Sequence, residues 1–124
     1  MIEKITTPDA PAAVGHYSQA ICANGMVFTS GQIALDPVTG ELVGTTVEEQ
    51  TEQVIKNLTA VLAAAGCTLN NVVKTTCFVT DKADFAKFNA VYGKIMTSAP
   101  ARSCVAAKAL PKGALVEIEV IAVK

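Results

Sequence analysis

Near the end of the chain, the stretch "APARSCVAAKALPKGALVEIEV" sets Arg102, Cys104, Glu117 and Glu119 among apolar neighbours. Side chains two apart on a strand point the same way, so Arg102 and Cys104 share one face, as do Glu117 and Glu119. A hairpin turning near Pro111 would bring the two pairs within a rung or two of each other. A guanidinium is always charged and offers a planar fork of donors matched to a carboxylate. A partly buried Arg on a sheet therefore implies either a structural acid or a carboxylate ligand. The structural Arg–Glu pair is the more ordinary of the two. The other is a site for a small anionic metabolite.

The elements that must position these residues follow from turn signals and changes of hydrophobic period. "YSQAICANGMVFTSGQI" reads as two strands joined at Asn24-Gly25, a dipeptide that takes positive φ at little cost. In "TTVEEQTEQVIKNLTAVLAAAG", Val47, Val54, Leu58, Val61, Leu62 and Ala65 fall on one helical stripe, with Thr46 and Glu49 spaced as a capping box and Gly66 as the stop. "NVVKTTCFVT" is β-branched and strand-like. "DKADFAKFNAVYGKIM" predicts a second amphipathic helix with Asp81 as N-cap and Phe85, Phe88, Tyr92 and Ile95 on its apolar face. The tail makes two strands around "LPKG". The order β-β-α-β-α-β-β suits an α+β fold, a mixed sheet with both helices on one face. The other face is then bare, and since it also carries apolar side chains it calls for packing between subunits.

Length and composition agree. The 124 residues make one domain, 1–124, without a linker or repeat. With 51% hydrophobic and 17% charged residues the chain is rich in apolar surface for a small monomer, so an oligomer is expected. A net charge of −1 and the lack of any Lys or Arg run remove the attraction on which nucleic-acid binding depends. No apolar run approaches a membrane span, and "MIEKITTPDA" has neither the apolar core of a signal peptide nor the Arg-rich character of a transit peptide, so the expected compartment is the cytosol, cytoplasmic. Cys22, Cys67, Cys77 and Cys104 form no Cys-x-x-Cys pair and His16 is the single histidine, which predicts reduced thiols and no metal.

The segment "PARSCVAAKALPKGALVEIEVIA" resembles the C-terminal signature of the RidA/YjgF family of imine and enamine deaminases. "APAAVGHYSQAI", "FTSGQIALDPVTGEL", "VVKTTCFVTD" and "FAKFNAVYGK" resemble its other blocks in the same order, so that the likeness spans almost the whole chain. The resemblance implies a fold like the chorismate mutase of Bacillus: a homotrimer whose sheets line a central barrel, with sites in clefts between subunits. It also implies hydrolysis of 2-imino acids such as 2-iminobutanoate and 2-iminopropanoate. These arise when 2-aminocrotonate or 2-aminoacrylate leaves a pyridoxal-phosphate dehydratase and tautomerises, and they yield 2-keto acids and ammonia. A protonated imine carbon is already electrophilic, so fixing the carboxylate and presenting a water suffices, with no cofactor.

By resemblance, Arg102 grips the substrate carboxylate and Glu117, rather than Glu119, orients or deprotonates the water. Tyr17 closes the pocket or hydrogen-bonds to substrate, Ser30 and Gly31 lend polar contacts, and Asn89 lines the cleft. Their plainer readings are an interface aromatic for Tyr17, a bulge residue for Gly31 and a surface polar residue for Asn89. Cys104 belongs to the pocket without a nucleophilic role, although the nearby Arg would lower its pKa. The remaining cysteines read as thiols without function. His16 stands where the family usually has Pro, and the link "GKIMTSAPA" is shorter than in several relatives, so substrate preference is left open. The alternatives are a metabolite-binding or chaperone-like protein without physiological catalysis and, third, a translation-inhibiting endoribonuclease.

Overall fold

The computed structural model describes residues 1–124, a six-stranded sheet covered on one face by two helices. In chain order the elements are β1 (Glu3–Ile5), β2 (Ala20–Ala23), β3 (Met26–Thr29), α1 (Val47–Ala64), β4 (Val72–Val79), α2 (Phe85–Ile95), β5 (Ala101–Ala106) and β6 (Val116–Val123). Their order across the sheet is β1-β2-β3-β6-β4-β5, antiparallel throughout except for β4 and β5.

The first helix forms as its sequence dictates. Thr46 accepts from the Glu49 amide, and the Glu49 carboxylate accepts from the Thr46 amide at 3.2 Å, closing the capping box. Gly66 follows at φ 81, the left-handed conformation that ends helices cheaply. The second helix departs from expectation at its start. Asp81 accepts from the Ala83 amide at 2.9 Å and caps a 3-10 turn, Lys82–Asp84, and α2 begins only at Phe85. An Asp followed by three residues of turn satisfies its cap locally, so the periodic stretch starts one turn later.

Period-two burial sorts the strand residues. Val116, Ile118, Val120 and Ala122 of β6 are buried beneath the helices, alongside Leu58, Leu62 and Phe88. Each of these side chains larger than alanine contributes about 1.5–3 kcal/mol by leaving water. The alternate set faces away from the helices, and there Phe28, Val105 and Val123 stay 40%, 45% and 43% exposed. A sheet with one uncovered apolar face is thus an observed property of the chain. No helix is long and apolar enough to cross a membrane.

The tail differs from the expected hairpin. β4 lies between β5 and β6, paired in parallel with one and antiparallel with the other. The reason is the intervening helix: a strand–helix–strand connection places its two strands parallel and side by side, so β4-α2-β5 takes one edge of β4 and leaves the other to β6. β1 is an added element, three residues paired to β2.

Candidate functional site: two half-sites on opposite faces

Glu117 lies opposite Phe78 on β4, and Arg102 lies opposite Thr75. Those two positions of β4 are three apart, so their side chains leave opposite faces of the sheet. The expected proximity of the Arg102–Cys104 and Glu117–Glu119 pairs within one chain is therefore wrong, and with it the structural Arg–Glu pair.

On the face away from the helices, Glu117 opens into a cleft of about 310 Å³ together with Tyr17, Ser30 and Gly31. A bulge makes this possible. Phe28 stands opposite Ile121 and Gln32 opposite Ile118, so four steps on one side match three on the other. The Thr29 hydroxyl fills part of the gap by accepting from the Val120 amide at 3.0 Å. Within the bulge Gly31 presents bare backbone to Glu117: a Cβ there would meet the Glu117 Cδ at 2.9 Å. The Gly31 amide has no hydrogen-bond partner in the chain, so it is free to donate to a ligand. The Ser30 hydroxyl donates to the Ser18 carbonyl at 2.6 Å, which leaves only its lone pairs for a ligand. Tyr17 stands at the rim, 51% exposed.

Burial pushes the Glu117 carboxyl above its ordinary value, and the charge of Glu119, two residues on and on the same face, adds to the push. Such a group is a better proton acceptor than a free carboxylate.

Two buried amides hold the cleft walls, and sequence reading singled out neither. Gln19 accepts from the Thr7 amide at 2.7 Å and donates to the Pro11 carbonyl at 2.7 Å, fixing the loop that leads to Tyr17. Asn57, 1% exposed on α1, donates to the Leu35 carbonyl at 2.9 Å and the Ile33 carbonyl at 3.2 Å, fixing the opposite wall. A polar residue on the buried stripe of α1 was the one available hint. Pro111 and Lys112 complete the rim.

On the helix-covered face, at the open edge of the sheet, Arg102 donates from Nη1 to the Asn89 Oδ1 at 2.7 Å. Its guanidinium carbon sits 4.9 Å over the Tyr92 ring, a cation–π arrangement that also shields one face of the fork. The Tyr92 hydroxyl is bonded to the Thr75 hydroxyl at 2.8 Å, so the ring cannot swing away. Asn89 and Arg102 line one shallow groove with Pro100 and Tyr92. Tyr92, read from sequence as core alone, is also the platform for Arg102. Cys104 is half-buried two residues beyond Arg102. Burial raises its thiol pKa, outweighing the lowering by Arg102, so the expected activation is not the net result.

Tyr17, Ser30, Gly31 and Glu117 thus meet in one place and Arg102 and Asn89 in another, while Cys104, expected in the pocket, lines neither. The bare-faced sheet carries one acidic cleft and, on its other side, one cationic edge groove. Residues 7–124 match the family described as Endoribonuclease L-PSP, and the chain belongs to that family. It is 54% identical to RutC family protein y4sK of Sinorhizobium fredii, over 98% of this chain and 97% of that one. It is 48% identical to the 2-iminobutanoate/2-iminopropanoate deaminase of Mus musculus, over 97% of this chain and 90% of that one. Among solved structures, E. coli TdcF with bound serine superposes with a TM-score of 0.94 at 41% identity, over 98% of each chain.

Proposed function

We propose that the protein hydrolyses 2-imino acids such as 2-iminobutanoate and 2-iminopropanoate to 2-keto acids and ammonia. We further propose that each site forms where the Arg102 edge of one copy meets the Glu117 cleft of another in a homotrimer. The observation that carries the reading is the Glu117 carboxyl, lifted by burial and seated against Gly31 in a cleft that also holds Tyr17 and Ser30. The mouse relative named as such a deaminase supports the substrate class, and the uncovered apolar sheet face supports the assembly.

In this reading the neighbour's Arg102, preorganised by Asn89 and Tyr92, takes the substrate carboxylate through two charge-assisted hydrogen bonds. The Gly31 amide and the Ser30 oxygen orient the polar end of the substrate, and Tyr17 closes over it. Glu117 accepts a proton as water adds to the iminium carbon, giving a carbinolamine. It returns that proton to the nitrogen, ammonia leaves as the ketone forms, and the hydroxyl proton passes to the freed Glu117 carboxylate and on to ammonia, giving ammonium. Protons and electrons balance within the substrate, one water and one carboxyl group, and no cofactor takes part.

The test follows free imine from a threonine or serine dehydratase by trapping with semicarbazide. Adding the protein is expected to speed keto-acid release and reduce trapping. Binding of 2-ketobutyrate with no acceleration at any protein concentration would favour the metabolite-binding alternative. RNA cleavage, set against a net charge of −1, is the weaker alternative.

A further inference from the structure

We propose that Cys77 and Cys104 constitute a dithiol modification site that peroxide-class oxidants convert to a reversible intrachain disulfide. The two cysteines are direct partners in the parallel β4–β5 register, so their side chains leave the same face side by side. Neighbouring strands run about 4.8 Å apart, inside the Cα separation of about 4.4–6.8 Å that a disulfide requires. Register pairing on one face thus meets the separation condition for a bridge. The other thiols lack this arrangement: Cys22 of β2 stands opposite Val27 and Glu3, and Cys67 lies in the turn after α1.

The pair is asymmetric, which assigns the roles. Cys104 is half-buried on the outermost strand and reachable by a small oxidant, whereas Cys77 is buried with its thiol directed to the Thr75 hydroxyl at 3.8 Å. In the first step the Cys104 thiolate attacks one peroxide oxygen. The O–O bond breaks, the sulfur becomes a sulfenic acid, and the departing hydroxide takes up a proton as water. In the second, the Cys77 sulfur attacks the Cys104 sulfur as it gives up its proton. The S–S bond forms, the S–O bond breaks, and a second water leaves. Two thiols have then lost two electrons to one peroxide.

Burial raises both thiol pKa values, Cys77 to about 11, so the pair responds to sustained oxidant rather than to a brief pulse. The exposed side of Cys104 admits a reducing thiol for the reverse reaction. The site stands whether or not the chain is a deaminase.

The experiment treats the native protein with hydrogen peroxide, blocks remaining thiols with N-ethylmaleimide in denaturant and maps the peptides by mass spectrometry. Two of the four thiols should be lost as one Cys77–Cys104 linked peptide, and dithiothreitol should restore both. Cys77→Val, with its fold checked by circular dichroism, should instead leave Cys104 as a dimedone-reactive sulfenic acid. Oxygen adducts on Cys104 with Cys77 still alkylated in the wild type would overturn the proposal. So would a linkage between Cys104 residues of two copies.

Discussion

Arg102 and Glu117 leave opposite faces of one sheet, with β4 between their strands. A sheet with its side chains is about 10 Å thick, more than a four-carbon acid can span. If both residues act on one substrate, they come from different copies of the chain.

Arg102 is expected to supply binding by its shape as well as its charge. Arg102→Lys should fail nearly as badly as Arg102→Ala, because an ammonium lacks the planar fork and the stacking on Tyr92. Calorimetric titration with 2-ketobutyrate should show a loss of roughly 2–5 kcal/mol in both variants. Wild-type affinity in Arg102→Ala would remove the residue from the site.

Glu117 is expected to separate chemistry from binding. Glu117→Gln should keep keto-acid affinity and lose turnover about 10²-fold, the scale of a general base. The same variant carries a stability signature. A carboxyl whose folded pKa is raised favours the fold when protonated, so its contribution is full below the unfolded value of 4.5 and is lost as pH rises through the folded value. Thermal melts of Glu117→Gln should therefore exceed wild type at neutral pH and converge with it in acid. A melting difference that does not change with pH would contradict the burial of this carboxyl.

Gly31→Ala tests the seat of that carboxyl. The added methyl would meet Glu117 at its Cδ, with room only if the carboxyl turns away. Turnover should fall at least about 10-fold, with the fold intact because Gly31 lies in a bulge whose strain is local. Unchanged kinetics would show that the Glu117 position is not set by Gly31.

The cleft wall should depend on Asn57. Asn57→Ala removes one of two donors from each of the Ile33 and Leu35 carbonyls, which keep the Leu35 amide and Gln53 respectively, so it should cost about 0.5–1.5 kcal/mol per lost hydrogen bond in urea unfolding. A loss below this range would show water replacing the amide.

The helices were legible because capping and the 3.6 period are local: Thr46, Glu49 and the stripe from Val47 to Leu62 lie within one turn or two of their partners. The neighbour of each strand was not. Period two tells which residues share a face, but the same alternation in "VEIEVIAV" serves a hairpin partner or β4 equally, and only the α2 crossover decides. β1 is too short to carry a period. The cleft residues Tyr17, Ser30, Gly31 and Glu117 came from family resemblance and converge. Gln19 and Asn57 escaped notice because their partners are backbone atoms distant in sequence, to which no side-chain pattern points. The plain reading of Gly31 as a bulge residue was right, and the bulge itself forms the site.

The most direct measurement mixes the two disabled chains. In a trimer with one shared site per interface, every mixed assembly of Arg102→Ala and Glu117→Gln chains keeps one intact site. Random co-assembly should therefore restore about a quarter of wild-type turnover in the semicarbazide assay. Each variant alone should stay inactive. No recovery, with mixed assemblies confirmed by native mass spectrometry, would contradict a site shared between copies, as would full activity of the wild-type chain as a monomer.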